Sequence, residues 1–135
     1  MNIKSQIALL TALLLGSQAA NAAIALDRTR VIYNGQNKSI SLNISNENKE
    51  LPYLAQAWVE DAQHHKITTP LLVTPPVQRL EAGAKSAVRM SAMPEAMMLP
   101  QDRETLFYFN LREIPPRSEE NNVMQIALQT QIKLF

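Results

Sequence analysis

The chain has 135 residues, a formal net charge of +1, 46% hydrophobic residues and no cysteine. Near-neutral charge without a basic run argues against nucleic acid or an anionic membrane surface as partner, and the missing cysteines exclude a disulfide-stapled scaffold. Only Gly16, Gly35 and Gly83 are present, too few and too far apart for a phosphate-cradling loop or a dinucleotide fingerprint.

The first element is a leader. Lys4 precedes the apolar run IALLTALLLG (Ile7 to Gly16), which gives way to small and polar residues ending in Ala20-Asn21-Ala22. A basic start, a short apolar core and an A-x-A site are the three parts of a secretory signal peptide, and the run is shorter than the roughly 20 residues a bilayer span needs. Residues 1–22 are therefore expected to be removed, leaving 23–135, enough for one domain with a real core and too few for two. Losing Lys4 leaves 12 basic residues against 12 acidic ones. No second long apolar segment follows, so no membrane insertion of the mature protein is expected.

From there the chain reads as short strands between turn signals. ALDRTRVIYNG opens with alternation and ends on the turn dipeptide Asn34-Gly35. SISLNISN (Ser39 to Asn46) sets Ile40, Leu42 and Ile44 against Ser and Asn, the pattern of a half-buried strand. After the polar turn ENKELP comes YLAQAWVED (Tyr53 to Asp61), with the only Trp. In ITTPLLVTPP, Pro70, Pro75 and Pro76 exclude a central strand and predict an edge strand or one that changes sheets. A turn is expected at Gly83 in VQRLEAGAK, and SAVRMSAM (Ser86 to Met93) resumes alternation. PEAMMLPQDRE is the most helix-like piece, confined by Pro94 and Pro100 to about one turn. ETLFYFNLREI is a dense aromatic strand, IPPRSEENN a proline-stiffened loop, and VMQIALQTQIKLF closes the chain. About seven strands at regular spacing with almost no helix predict an all-β fold, an antiparallel β-sandwich.

Catalytic and metal-binding constellations are missing. His64-His65 is the one histidine feature, and adjacent positions on an extended chain point to opposite sides, so a solvated turn is expected rather than a metal site. No G-x-S-x-G elbow accompanies the scattered serines. Glu60-Asp61 and Glu119-Glu120 read as solvated neighbours in turns. Neither an enzyme nor a cofactor is expected.

The terminal strand is the stronger lead. Met124, Ile126, Leu128, Ile132 and Leu134 fall on one face; Gln125, Ala127, Gln129, Gln131 and Lys133 fall on the other. The apolar face either packs into the domain's own core or is partly offered to a partner, since an exposed apolar strand edge is a hazard that needs a use. Adding a strand to another protein's sheet is one such use.

Five collinear segments, ALDRTRVIYNG, ISLNISNENKELPYLAQAWVED, TPPVQRLEAGAKSAVRMS, LPQDRETLFYFNLREIPPRSE and QIALQTQIKLF, closely resemble the N-terminal domain of periplasmic pilus chaperones of the PapD-like kind. The resemblance runs from about Ala23 to Phe135, and the short loop Arg117 to Asn122 is similar to the branch serving rod-like adhesive pili. It implies an immunoglobulin-like seven-stranded sandwich in the periplasm, acting as a chaperone without ATP. Its implied clients are pilus (fimbrial) subunits that lack the last strand of their own fold. The chaperone's terminal strand fills that gap by donor-strand complementation, and the complex is delivered to an outer-membrane usher. A secreted immunoglobulin-like module with another protein ligand is the alternative.

Carried over residue by residue, the resemblance makes Arg30 of DRTR and Lys133 of QIKLF the anchors of the client's C-terminal carboxylate. A guanidinium offers a planar fork and an ammonium a point charge, which suits that task. Met124, Ile126 and Leu128 match the donor positions. Glu104 of DRETLFYF matches an acidic residue of an interdomain charge network, and Arg89 of VRM another basic family position that a surface ion pair explains equally well. In the family the terminal motif continues into a hinge and a second domain. Here the sequence stops at Phe135, so the basic partner of Glu104 and half of the carboxylate cleft are absent, and weak client binding is expected of this chain alone.

Overall fold

A computed structural model describes residues 2–8, 23–117 and 127–135. Residues 3–8 are helical, and among the described residues no helix is long and apolar enough to cross a membrane.

Ten strand segments follow: β1 (Ile24–Leu26), β2 (Arg30–Val31), β3 (Ser39–Asn46), β4 (Tyr53–Glu60), β5 (Lys66–Ile67), β6 (Leu71–Thr74), β7 (Val77–Leu80), β8 (Lys85–Ala92), β9 (Phe107–Ile114) and β10 (Gln129–Leu134). A short 3-10 helix, Pro94–Met98, sits between β8 and β9, as the two prolines require. One sheet has the order β1-β3-β8-β6; the other has β2-β10-β9-β4-β5, with β7 also paired to β4. The architecture is an immunoglobulin-like β-sandwich, as expected.

Seven strands become ten segments because two strands are divided between the sheets and β5 is a further short segment paired with β4. The segment expected as one strand, ALDRTRVIYNG, gives β1 to one sheet and β2 to the other. The crossing point is Asp27-Arg28, where the guanidinium donates to both carboxylate oxygens at 2.9 and 3.0 Å. The second division falls at Pro75-Pro76: β6 pairs with β8, and β7 pairs with β4. Proline lacks the N–H that continued pairing needs, so the strand leaves its sheet there. Segment β7 carries a weak pattern and was expected only as the approach to the Gly83 turn.

The sandwich is not wholly antiparallel. β10 runs antiparallel to β9 but parallel to β2, in the register Lys133↔Arg30 and Leu134↔Val31. Alternation dictates the core. Leu42, Ile44, Val88 and Met90 from one sheet meet Val59, Phe109, Leu111 and Leu134 from the other, all buried. Turns form where predicted: Asn37 N–H donates to Asn34 O at 2.9 Å, and Gly83 takes φ +71°, a left-handed conformation that glycine adopts without strain.

One polar side chain inside this core is fully used. The Asn46 amide nitrogen donates to Leu51 O, Leu80 O and Glu81 O at 2.9, 3.1 and 3.2 Å, and its oxygen accepts Asn48 N–H at 3.0 Å. It ties the β3–β4 turn to the end of β7, satisfying main-chain groups that burial would otherwise penalise.

Candidate functional site at the last strand

β9 alternates Phe107, Phe109 and Leu111 inward with Tyr108, Asn110 and Arg112 outward. β10 does the same, with Ile132 and Leu134 inward and Gln129, Gln131 and Lys133 outward. Partners in register project to the same side of a sheet. Glu60, Tyr108, Lys133 and Arg30 therefore form one row across β4, β9, β10 and β2.

Arg30 and Lys133 are thus neighbours on one exposed face, although 103 positions separate them in the chain. Among the described residues neither side chain makes a hydrogen bond or an ion pair. Two like charges on adjacent strands, without an acidic partner, attract an anion and suit a carboxylate.

The rest of the face is a hydrogen-bonded lattice. Asn110 is 0% exposed although it points outward. Its Oδ1 accepts from Gln129 Nε2 at 3.0 Å and Gln131 Nε2 at 2.9 Å. Gln131 Nε2 also donates to Glu60 Oε1 at 3.2 Å, and Trp58 Nε1 donates to Glu60 Oε2 at 2.8 Å. Arg112 lies over the Trp58 ring at 5.2 Å, a cation–π contact, and donates to Gln129 Oε1 at 3.2 Å. The polar side of β10 is therefore bound to its neighbours rather than merely solvated. Glu60 likewise is a strand residue serving two donors, which corrects its reading as a turn carboxylate.

His64 and His65 are exposed at a turn, as expected, but His64 is more than solvated. Its φ is +64°, so the chain is not extended there, and its ring stacks on Tyr108 at 4.4 Å. Asp61 holds the turn, its Oδ1 accepting from Gln63 N–H and His65 N–H at 3.0 and 2.9 Å. His64 Nδ1 stands 3.5 Å from Glu60 Oε1. No cluster of metal-ligating side chains occurs among the described residues. Tyr108 and His64, which border the cationic pair, escaped the sequence reading. The polar phase of Tyr108, Asn110 and Arg112 within an aromatic strand was the available signal.

The apolar face of the last strand divides. Ile132 and Leu134 are buried in the core, whereas Leu128, just before β10, is 42% exposed. Met124 and Ile126 lie outside the described residues. The backbone edge divides too. Tyr33 N–H donates to Phe135 O at 2.8 Å and Phe135 N–H to Val31 O at 2.9 Å, so β2 covers the C-terminal end of β10. On the other side, β9 flanks β10 throughout, and Glu113 N–H reaches Leu128 O at 3.0 Å. From Leu128 to Gln131, the edge facing away from β9 has no strand partner among the described residues.

Glu104 stands apart from this row. It is exposed and lines a groove of about 1160 Å³ with Ile32, Tyr33, Met97, Phe107 and Phe135. Arg89 is on the opposite sheet, donating to Ser39 Oγ at 3.0 and 2.9 Å, a surface contact across β3 and β8.

Among the described residues, then, the immunoglobulin-like sandwich leaves its terminal strand unflanked along half of one edge and sets two cations without an acidic partner beside the other half. Residues 23–135 match the family "Pili and flagellar-assembly chaperone, PapD N-terminal domain", and the chain belongs to that family. Its members are pilus-assembly chaperones, not enzymes. The chain is 67% identical over 117 residues to Chaperone protein PapD of Escherichia coli, covering 86% of this chain and 49% of that protein. It is 53% identical to Probable fimbrial chaperone YfcS of Escherichia coli, covering 88% and 48%. Among solved structures, that of the Salmonella enterica SafA pilin in complex with the SafB chaperone matches with a TM-score of 0.72 and 31% identity, covering 87% of this chain and 55% of that one. The chain thus spans about half the length of the curated relatives it matches.

Proposed function

We propose that this chain is the client-binding domain of a periplasmic chaperone that stabilises pilus subunits by lending them its last strand and passes them to an outer-membrane usher. The observation that carries the reading is the divided edge of β10: Leu128 is exposed beside a stretch of backbone without a strand partner among the described residues, and Arg30 with Lys133 marks where that stretch ends. A client strand laid along the open edge gains main-chain hydrogen bonds, and Leu128, with Met124 and Ile126 upstream, supplies alternating apolar side chains to its core. A terminal carboxylate on the client meets the cationic pair where β2 begins. Glu104, beside its groove, is the residue for an interdomain charge contact with the second domain that the family resemblance implies.

The test is periplasmic co-expression of the 135-residue chain with a pilus subunit, followed by affinity capture. Wild type, although expected to hold the subunit only weakly, should retain more of it than Leu128→Glu, which should keep wild-type thermal stability. Equal capture by the two proteins would remove the strand-lending reading.

A further inference from the structure

Glu113 is the one acidic side chain of β9, and it points inward. It is 5% exposed, among the described residues it takes part in no ion pair, and its Oε2 accepts the main-chain N–H of Ile24 at 2.9 Å. The contact crosses from one sheet to the other at the sandwich edge. Ala23 O accepts from Glu47 N–H and Asp27 N–H donates to Asn43 O, so the odd-numbered residues of this segment face β3. Alternation turns the Ile24 N–H away from that sheet, where Glu113 takes it up. A buried carboxylate served by one neutral donor is costly without a counter-charge.

The leader reading supplies a counter-charge. Hydrolysis of the Ala22–Ala23 amide by a leader protease adds water across the bond. The carboxylate departs with residues 1–22, and the amine stays on Ala23 and takes up a proton. Covalent geometry keeps this nitrogen within ~3.7 Å of the Ile24 nitrogen, and so about 7 Å or less from Glu113 Oε2. We propose that Glu113 is a positioning residue whose carboxylate pairs with the α-ammonium created at Ala23, clamping β1 and so placing Arg30 of β2 beside Lys133. Processing then does more than release the chain, because it completes the charge balance of the fold's edge. The proposal rests on cleavage after Ala22.

Other charges near this end are accounted for. Glu47 holds Ser45 Oγ at 2.5 Å, Arg112 faces the opposite side of β9 over Trp58, and Lys85 lies on the exposed side of β8 opposite Ser45. Asp27 and Arg28, at the far end of β1, neutralise each other.

The experiment uses the 135-residue chain exported with its own leader. Intact mass establishes the mature N-terminus, and NMR then follows the titration of its α-amino group. In wild type the midpoint is expected above the ordinary range of about 7.7–8.0, and Glu113→Gln lowers it by roughly half a unit or more. Glu47→Gln is expected to move it less. A wild-type midpoint at or below the ordinary range overturns the proposal without any variant having to fold, and so do equal midpoints in wild type and Glu113→Gln. A mature terminus elsewhere than Ala23 overturns it through the processing step and leaves the chaperone reading standing.

Discussion

Removing either cation of the Arg30–Lys133 pair should weaken client binding only where the client carries a terminal charge. The two residues are register partners on adjacent strands, which stand about 4.8 Å apart. Both are exposed, so their mutual repulsion in the free protein is screened to about 1 kcal/mol or less. On the proposed reading a client strand would cover them and exclude water, and each would then make a charge-assisted hydrogen bond contributing about 1.5–3 kcal/mol. Taking the lower end, Arg30→Ala or Lys133→Ala should each weaken binding of a peptide copying the pilin C-terminus about tenfold. The double variant should lose at least the product, because each single variant also relieves the repulsion between the two cations and the double variant gains that relief only once. Fluorescence titration with free-acid and C-terminally amidated peptides completes the cycle. Amidation should cost wild type about as much as the double substitution does and should cost the double variant almost nothing. If both peptides weaken equally in the variants, the cations act on the client strand at large and the carboxylate assignment is wrong.

Asn46→Asp puts carboxylate oxygens against the three carbonyls that the amide now serves, and the expected loss is about 3 kcal/mol near neutral pH. Denaturant melts should recover part of it in acid, where the protonated side chain again donates; a pH-independent loss would refute this account. The hydrogen bond from Arg28 holds the Asp27 carboxyl below the usual carboxylate range. A lowered folded-state pKa contributes stability above the unfolded-state value, and that stability disappears as pH falls through the folded-state value. Asp27→Asn should therefore melt slightly below wild type at neutral pH, and the two should converge in strong acid. Curves parallel throughout would mean that the pair contributes nothing.

Strand positions were legible because alternation fixes which side chains face the core. Ser39–Asn46 and Tyr53–Glu60 needed no more than that, and the prolines at 75 and 76 marked a sheet change. The destination of β7 was not legible, since VQRL alternates too weakly to announce a partner. The parallel pairing of β2 with β10 was also hidden: no local pattern encodes a partner so distant in the chain. Only the family resemblance joined Arg30 to Lys133. The stack of His64 on Tyr108 depends on a left-handed residue in a turn whose sequence looks merely polar. Asn110 is covered by glutamine side chains, which composition assigns to solvent.

The pairing of β2 with β10 also ties the cation pair to completion of the fold. Closing so long a loop carries an entropic cost that no local contact offsets. Arg30 and Lys133 become neighbours only when that pairing is made. A partly folded chain has one cation or the other at any given place, never the pair. If the pair is the proposed carboxylate anchor, competence to hold a client would arise together with the finished sandwich rather than before it.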